Sequence, residues 1–113
     1  MAKKTSNIIQ HNRKQAYLSQ SKLCYYCGLP MWEDSQQTFR SNYKLSLKSS
    51  NLLRCTAEHL IARQDGGKNS KNNIVAACQF CNQTRHKAKY PLPPDQYMIK
   101  VKNRMNSDRW HPL

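Results

Sequence analysis

Apolar positions along this chain come in short, separated groups. Ile8, Ile9, Ala16, Tyr17 and Leu18 are spaced through the otherwise polar and basic stretch IIQHNRKQAYLSQS, which predicts a helix over about 8–21. Residues 1–7 read as a frayed end. Two runs have strand character, LLRCTAEHL and NIVAAC, with the glycine-containing loop IARQDGGKNSKNN between them. CNQTRHKAKY holds no Gly or Pro before Pro91 and reads as a short basic helix. PLPP breaks the chain, and DQYMIKVKNRM, opening on Asp95 after two prolines, predicts a last helix over about 95–106. KLCYYCGLPM has two cysteines, two aromatics, Gly28 and Pro30, the composition of a tight metal-binding knuckle. Residues 33–51 are polar and read as a long loop with a short strand near NYKLSL. There is no internal repeat and no low-complexity tract; the two C-x-x-C units are the only local echo.

Length and composition narrow what such a chain does. Its 113 residues suffice for one domain, 1–113, and are too few for two ordinary ones. Only 38% of residues are hydrophobic, so the core is small and calls for a staple such as a metal or disulfides. Nineteen Lys and Arg against six Asp and Glu give a net charge of +13, which predicts attraction to a polyanion, with nucleic acid ahead of an anionic membrane surface. No apolar run is long enough to span a bilayer, and the basic N-terminus lacks a continuous apolar segment of the secretory kind. These features lead us to expect a cytoplasmic protein, where thiols stay reduced and clustered cysteines are metal ligands rather than disulfides.

Four of the five cysteines form two pairs, Cys24/Cys27 and Cys78/Cys81. Two thiolates with two residues between them bite one tetrahedral Zn2+, so two pairs complete a closed structural site that ties distant segments together. The competing reading is four reduced core cysteines. Cys55 is unpaired and reads as a buried strand thiol.

The polar residues around the second pair stand out. Glu58, a hard oxygen ligand suited to Mg2+ or Mn2+, directly precedes His59. Asn73 opens the second strand, Asn82 follows Cys81, and His86 lies four residues on, facing the same way as Asn82 on a helix. Each has a plain alternative: a surface charge for Glu58, a turn cap for Asn73, a solvated helix residue for His86. Arg85, Lys87 and Lys89 read as solvated or phosphate-binding, Tyr25, Tyr26 and Trp32 as packing residues ahead of base-stacking ones, and Trp110 as part of a mobile tail.

The series AEHLIARQDGG…NNIVAACQFCNQTRH resembles the HNH endonuclease motif, and CYYC resembles the first half of the zinc knuckle found in many such proteins. The resemblance covers roughly residues 22–88. It implies an α+β chain, with a small ββα-metal core, a structural four-cysteine knuckle and flanking helices. It also implies a DNA endonuclease, with His59 as the general base and Glu58 and Asn82 as ligands of a single catalytic Mg2+ or Mn2+. His86 matches a third ligand, and Asn73 an asparagine that orients the histidine loop. Cys24, Cys27, Cys78 and Cys81 match the zinc ligands. Two positions depart from the pattern: Ala62 stands where a proline is frequent, and Asn82 stands where the family name puts histidine. As base, His59 must be unprotonated, so activity is expected to fall on acidification. The chain acts as a monomer or homodimer on this reading. The alternative is a zinc-stapled DNA-binding module without catalysis.

Overall fold

The computed structural model describes the backbone of residues 2–113 and the side chains from residue 7 onward. Its elements run α1 (Ala2–Ser19), α2 (Gln36–Tyr43), α3 (Leu47–Leu52), β1 (Cys55–His59), β2 (Ile74–Cys78), α4 (Gln79–Lys87) and α5 (Pro94–Asn106). The first helix starts at Ala2, so the fraying read for residues 1–7 is corrected for all but Met1, which lies outside the described residues.

Residues 33–51 hold two helices and no strand, correcting the loop-and-strand reading. The reason is capping. Ser35 accepts a hydrogen bond from Thr38 N, and Ser46 accepts one from Ser49 N, so each serine satisfies an orphan amide at a helix start. Lys44 closes α2 in a left-handed conformation and donates its N–H to Arg40 O. Tertiary contact holds these short helices in place: Phe39 is buried, and the Trp32 indole donates to Ser50 O at 2.7 Å. Both predicted strands form, although Leu52 falls in α3 and Leu53 caps it.

The sheet is a single antiparallel pair, with Cys55 opposite Cys78, Glu58 opposite Val75 and His59 opposite Ile74. Ala76, Ala77 and Cys78 are fully buried, which explains the unbroken apolar run NIVAAC. The free edge of β2 is closed by a side chain: the Gln20 amide accepts from Ala76 N and donates to Ala76 O, the pairing a third strand would make. The core gathers Tyr17, Tyr26, Met31, Phe39, Leu53, Cys55, Tyr97, Val101 and Trp110 around the sheet. Burial of the Cys55 thiol pushes its pKa up to about 12, in keeping with the inert strand cysteine expected. No helix among the described residues is long and apolar enough to cross a membrane.

Candidate active site and metal centre

The two cysteine pairs converge. The knuckle 24–30 is held by Cys24 N donating to Leu29 O and Gly28 N to Cys24 O, with Gly28 in the left-handed region at φ 75°. Tyr25 N donates to Ala76 O and docks the knuckle beside β2. The second pair sits where β2 turns into α4, with Cys78 as its N-cap. All four sulfurs lie within 4.8 Å of one another, and Cys27 Sγ is 4.0 Å from Cys78 Sγ. A zinc–thiolate tetrahedron with bonds of about 2.3 Å has edges of about 3.8 Å, so the spacing fits such an ion.

Donors around the sulfurs fit thiolates. Cys78 N points at Cys24 Sγ and Cys81 N at Cys78 Sγ, while the Trp110 indole N–H donates to Cys81 Sγ at 3.2 Å. His111 Nε2 lies 3.2 Å from Cys27 Sγ. Trp110 is buried, so the C-terminal segment is packed onto the cluster rather than mobile. The surrounding sulfurs and His111 hold the Cys27 thiol below its ordinary range, while the neighbouring sulfurs drive Cys78 and Cys81 upward. Crowded thiols ionise at one another's expense; a divalent cation removes that conflict. The four cysteines are positioned to bind a metal ion such as zinc.

The second cluster lies where β1 ends against α4. Successive strand residues face opposite ways, so Glu58 turns to α4 and His59 to the loop that follows. Glu58 is 1% exposed and its carboxylate is fully engaged. Oε2 accepts from Tyr26 Oη and Arg85 Nη1, both at 3.0 Å; Oε1 is 2.8 Å from His86 Nε2. Burial, with the Glu58 charge adding to it, raises the Tyr26 hydroxyl well above the ordinary phenol range, so it stays a donor.

Arg85 is buried, which corrects its reading as a solvated or phosphate-binding residue. Besides Glu58 it donates from Nη1 to His59 O, from Nη2 to Leu60 O and from Nε to Leu92 O. A planar fork meets these acceptors where a flexible ammonium would not. The signal was helical spacing: Arg85 lies four residues after the inward-facing Cys81, on its face of α4.

Asn82 and His86 occupy the neighbouring face of α4. Asn82 Nδ2 donates to Thr56 Oγ1 and Ala57 O, which uses both amide hydrogens and leaves Oδ1 as the atom able to ligate. Asn73 clamps the histidine loop: its Oδ1 accepts from Ile61 N, and its Nδ2 donates to Ile61 O and Lys68 O. Asn69, not singled out from the sequence, lies with Oδ1 2.8 Å from His59 Nε2. Its position within a loop gave no periodicity to read. Gly67 is required by space, because a Cβ there would collide with the backbone carbonyl of Ile61.

Glu58, His59, Asn82 and His86 line one open cleft of about 500 Å³, whose other walls include Arg63 and Lys89. A carboxylate, an amide oxygen and an imidazole at one wall form a hard, mixed donor set suited to a divalent cation. Beside them stands an imidazole able to move a proton, under basic side chains suited to phosphate.

Residues 42–88 match a family model described as HNH endonuclease. The match takes in Glu58, His59, Asn73, Cys78, Cys81, Asn82 and His86, and leaves Cys24 and Cys27 outside. Comparison with curated proteins and with solved structures gives no match. The two-stranded antiparallel sheet, the helix that follows it and the four-cysteine cluster are consistent with a small ββα-metal HNH fold.

Proposed function

From the HNH endonuclease segment at residues 42–88, we propose that this chain is a metal-dependent DNA endonuclease. The family match suggests a nuclease or DNA-binding role. The observation that supports metal-dependent cleavage is the shared cleft of Glu58, His59, Asn82 and His86. The whole chain, 1–113, acts on this reading as one domain, working on DNA as a monomer or homodimer.

Glu58 Oε1, Asn82 Oδ1 and His86 Nε2 would hold a single Mg2+ or Mn2+. When bound, such an ion supplies Lewis-acid stabilisation of the charge that builds on the phosphate and the departing 3′-oxygen. The four cysteines would hold Zn2+ as a structural staple. Neutral His59 accepts a proton from water as the water oxygen attacks phosphorus in line. The bond from phosphorus to the 3′-oxygen breaks, and the departing oxygen takes a proton from solvent water, leaving a 5′-phosphate and a 3′-hydroxyl. Arg85 and Tyr26 hold Glu58 by Oε2, which leaves Oε1 facing His86 Nε2. Arg63 and Lys89 offer positive charge to the backbone of the nucleic acid.

A second reading, a zinc-stapled DNA-binding module without catalysis, is favoured by one observation: both carboxylate oxygens of Glu58 already have protein partners. Incubating the protein with supercoiled plasmid in Mg2+ or Mn2+, beside a His59→Ala variant, separates the two. Nicking by the wild type, lost in the variant and with EDTA, is the expected result. Salt-sensitive DNA binding with no cleavage in either metal would replace the endonuclease by the binding module.

A further inference from the structure

His59 is the last residue of β1, and its ring stands against the loop that leads to β2. Nε2 of the ring is 2.8 Å from Asn69 Oδ1. Asn69 is itself anchored. Its backbone carbonyl accepts from Asn12 Nδ2 on α1 at 2.8 Å, and the residue before it, Lys68, is pinned through its carbonyl by Asn73. The Asn69 side chain therefore meets the ring from a backbone fixed on both sides, by α1 and by the start of β2.

An amide oxygen only accepts hydrogen bonds, and a neutral imidazole has one N–H to give. A partner of this kind at Nε2 draws the proton to that nitrogen and leaves the lone pair on Nδ1. Arg63 Nε lies 3.5 Å from the same Nε2, at the limit of hydrogen-bond length. The Asn69 contact, at 2.8 Å against 3.5 Å, is the shorter of the two, and Arg63 is exposed on the cleft wall.

We propose that Asn69 is a positioning residue for His59, fixing its Nε2–H tautomer and ring plane so that Nδ1 is the nitrogen that receives the proton. The proposal rests on the reading of His59 as the general base. It extends the machinery beyond the matched strands and helix, because the tether on Asn69 comes from α1.

The tautomer is read directly by long-range 1H–15N correlation on histidine-labelled, zinc-loaded full-length protein at mildly alkaline pH, without Mg2+ or Mn2+. The His59 signal is assigned by its loss in His59→Gln. The expected result is Nε2–H in the wild type and a mixture in Asn69→Ala. Plasmid nicking by Asn69→Ala is expected to fall about 10- to 100-fold in kcat, with KM for DNA unchanged and zinc content retained. Asn69→Asp, which keeps an acceptor, should retain the tautomer and most of the rate. An Nδ1–H wild type overturns the proposal, as does an Asn69→Ala protein with unchanged tautomer and kcat. Failure of the base reading looks different: His59→Ala would cut as fast as wild type while the tautomer stayed Nε2–H. That outcome overturns the catalytic part of the proposal.

Discussion

Replacing Arg85 by Met probes whether one buried guanidinium organises the cleft. Glu58 is 1% exposed and Arg85 5%, and their contact is 3.0 Å. Removing the cation leaves a carboxylate in the core with Tyr26 and His86 as its remaining partners. It also strips the donor from the carbonyls of His59, Leu60 and Leu92. Breaking one side of a buried pair costs about 3–5 kcal/mol. A domain of this length has about 6–17 kcal/mol in all, so the loss is a large fraction of the total. In equilibrium urea unfolding followed by far-UV circular dichroism, with zinc and reductant in excess, the midpoint should fall by about 2–3 M for a slope near 1.5 kcal/mol/M. Arg85→Lys keeps the charge and should lose about 1–3 kcal/mol, because one ammonium does not reach all the acceptors. The double variant Glu58→Leu/Arg85→Met should recover part of the loss, since paired apolar replacement removes the stranded charge. A loss below about 1 kcal/mol for Arg85→Met would refute the reasoning. So would a double variant as unstable as the sum of the two single changes.

Chelation of the metal is expected to release one zinc per chain, unfold the protein and expose five reactive thiols; in the loaded protein all five should resist an aromatic disulfide reagent. Gly67→Ala should lower the melting temperature and plasmid nicking together, because the added Cβ meets the backbone of Ile61 and Ala62 and displaces the loop that Asn73 clamps. Stability should also fall on the alkaline side. Burial raises the pKa of Tyr26, and likewise of Tyr97, above the ordinary 10.0. The unfolded chain then releases protons that the folded one retains, so their contribution is intact below pH 10.0 and is lost as pH rises through the folded values. Tyr26→Phe, followed by circular dichroism across that range, should flatten the decline.

Part of the candidate site was legible as spacing. The two C-x-x-C pairs announced a metal cluster, because ligand bite is a local property of two residues and the turn between them. Asn82 and His86 were readable as one helix face for the same reason. Two strands separated by a glycine loop gave β1 and β2, with boundaries that shifted by a few residues at the α3 end. Residues 33–51 were not legible. A polar sequence carries no period when only Phe39 and Ser50 of its helices are buried, and the caps at Ser35 and Ser46 acquire meaning once Trp32 and Gln36 dock there.

The sequence by itself determined the chemistry available: four soft thiolates for one ion, and an acid, an amide and two imidazoles for another centre, on a strongly basic chain. Tertiary structure decided which groups those side chains answer to. Arg85 is a buried partner of Glu58 rather than a phosphate contact because Cys81 and Arg85 share the inward face of α4, and Leu60 and Leu92 happen to present their carbonyls there. Trp110 and His111 reach the sulfurs of Cys81 and Cys27 from the far end of the chain. Asn69 meets His59 through a loop whose path is set by Asn73 and by Asn12 on another helix. Spacing fixes only neighbours within a few residues; these pairings reach as far as 84 residues apart in sequence and exist only once the two strands and the sulfur cluster have closed.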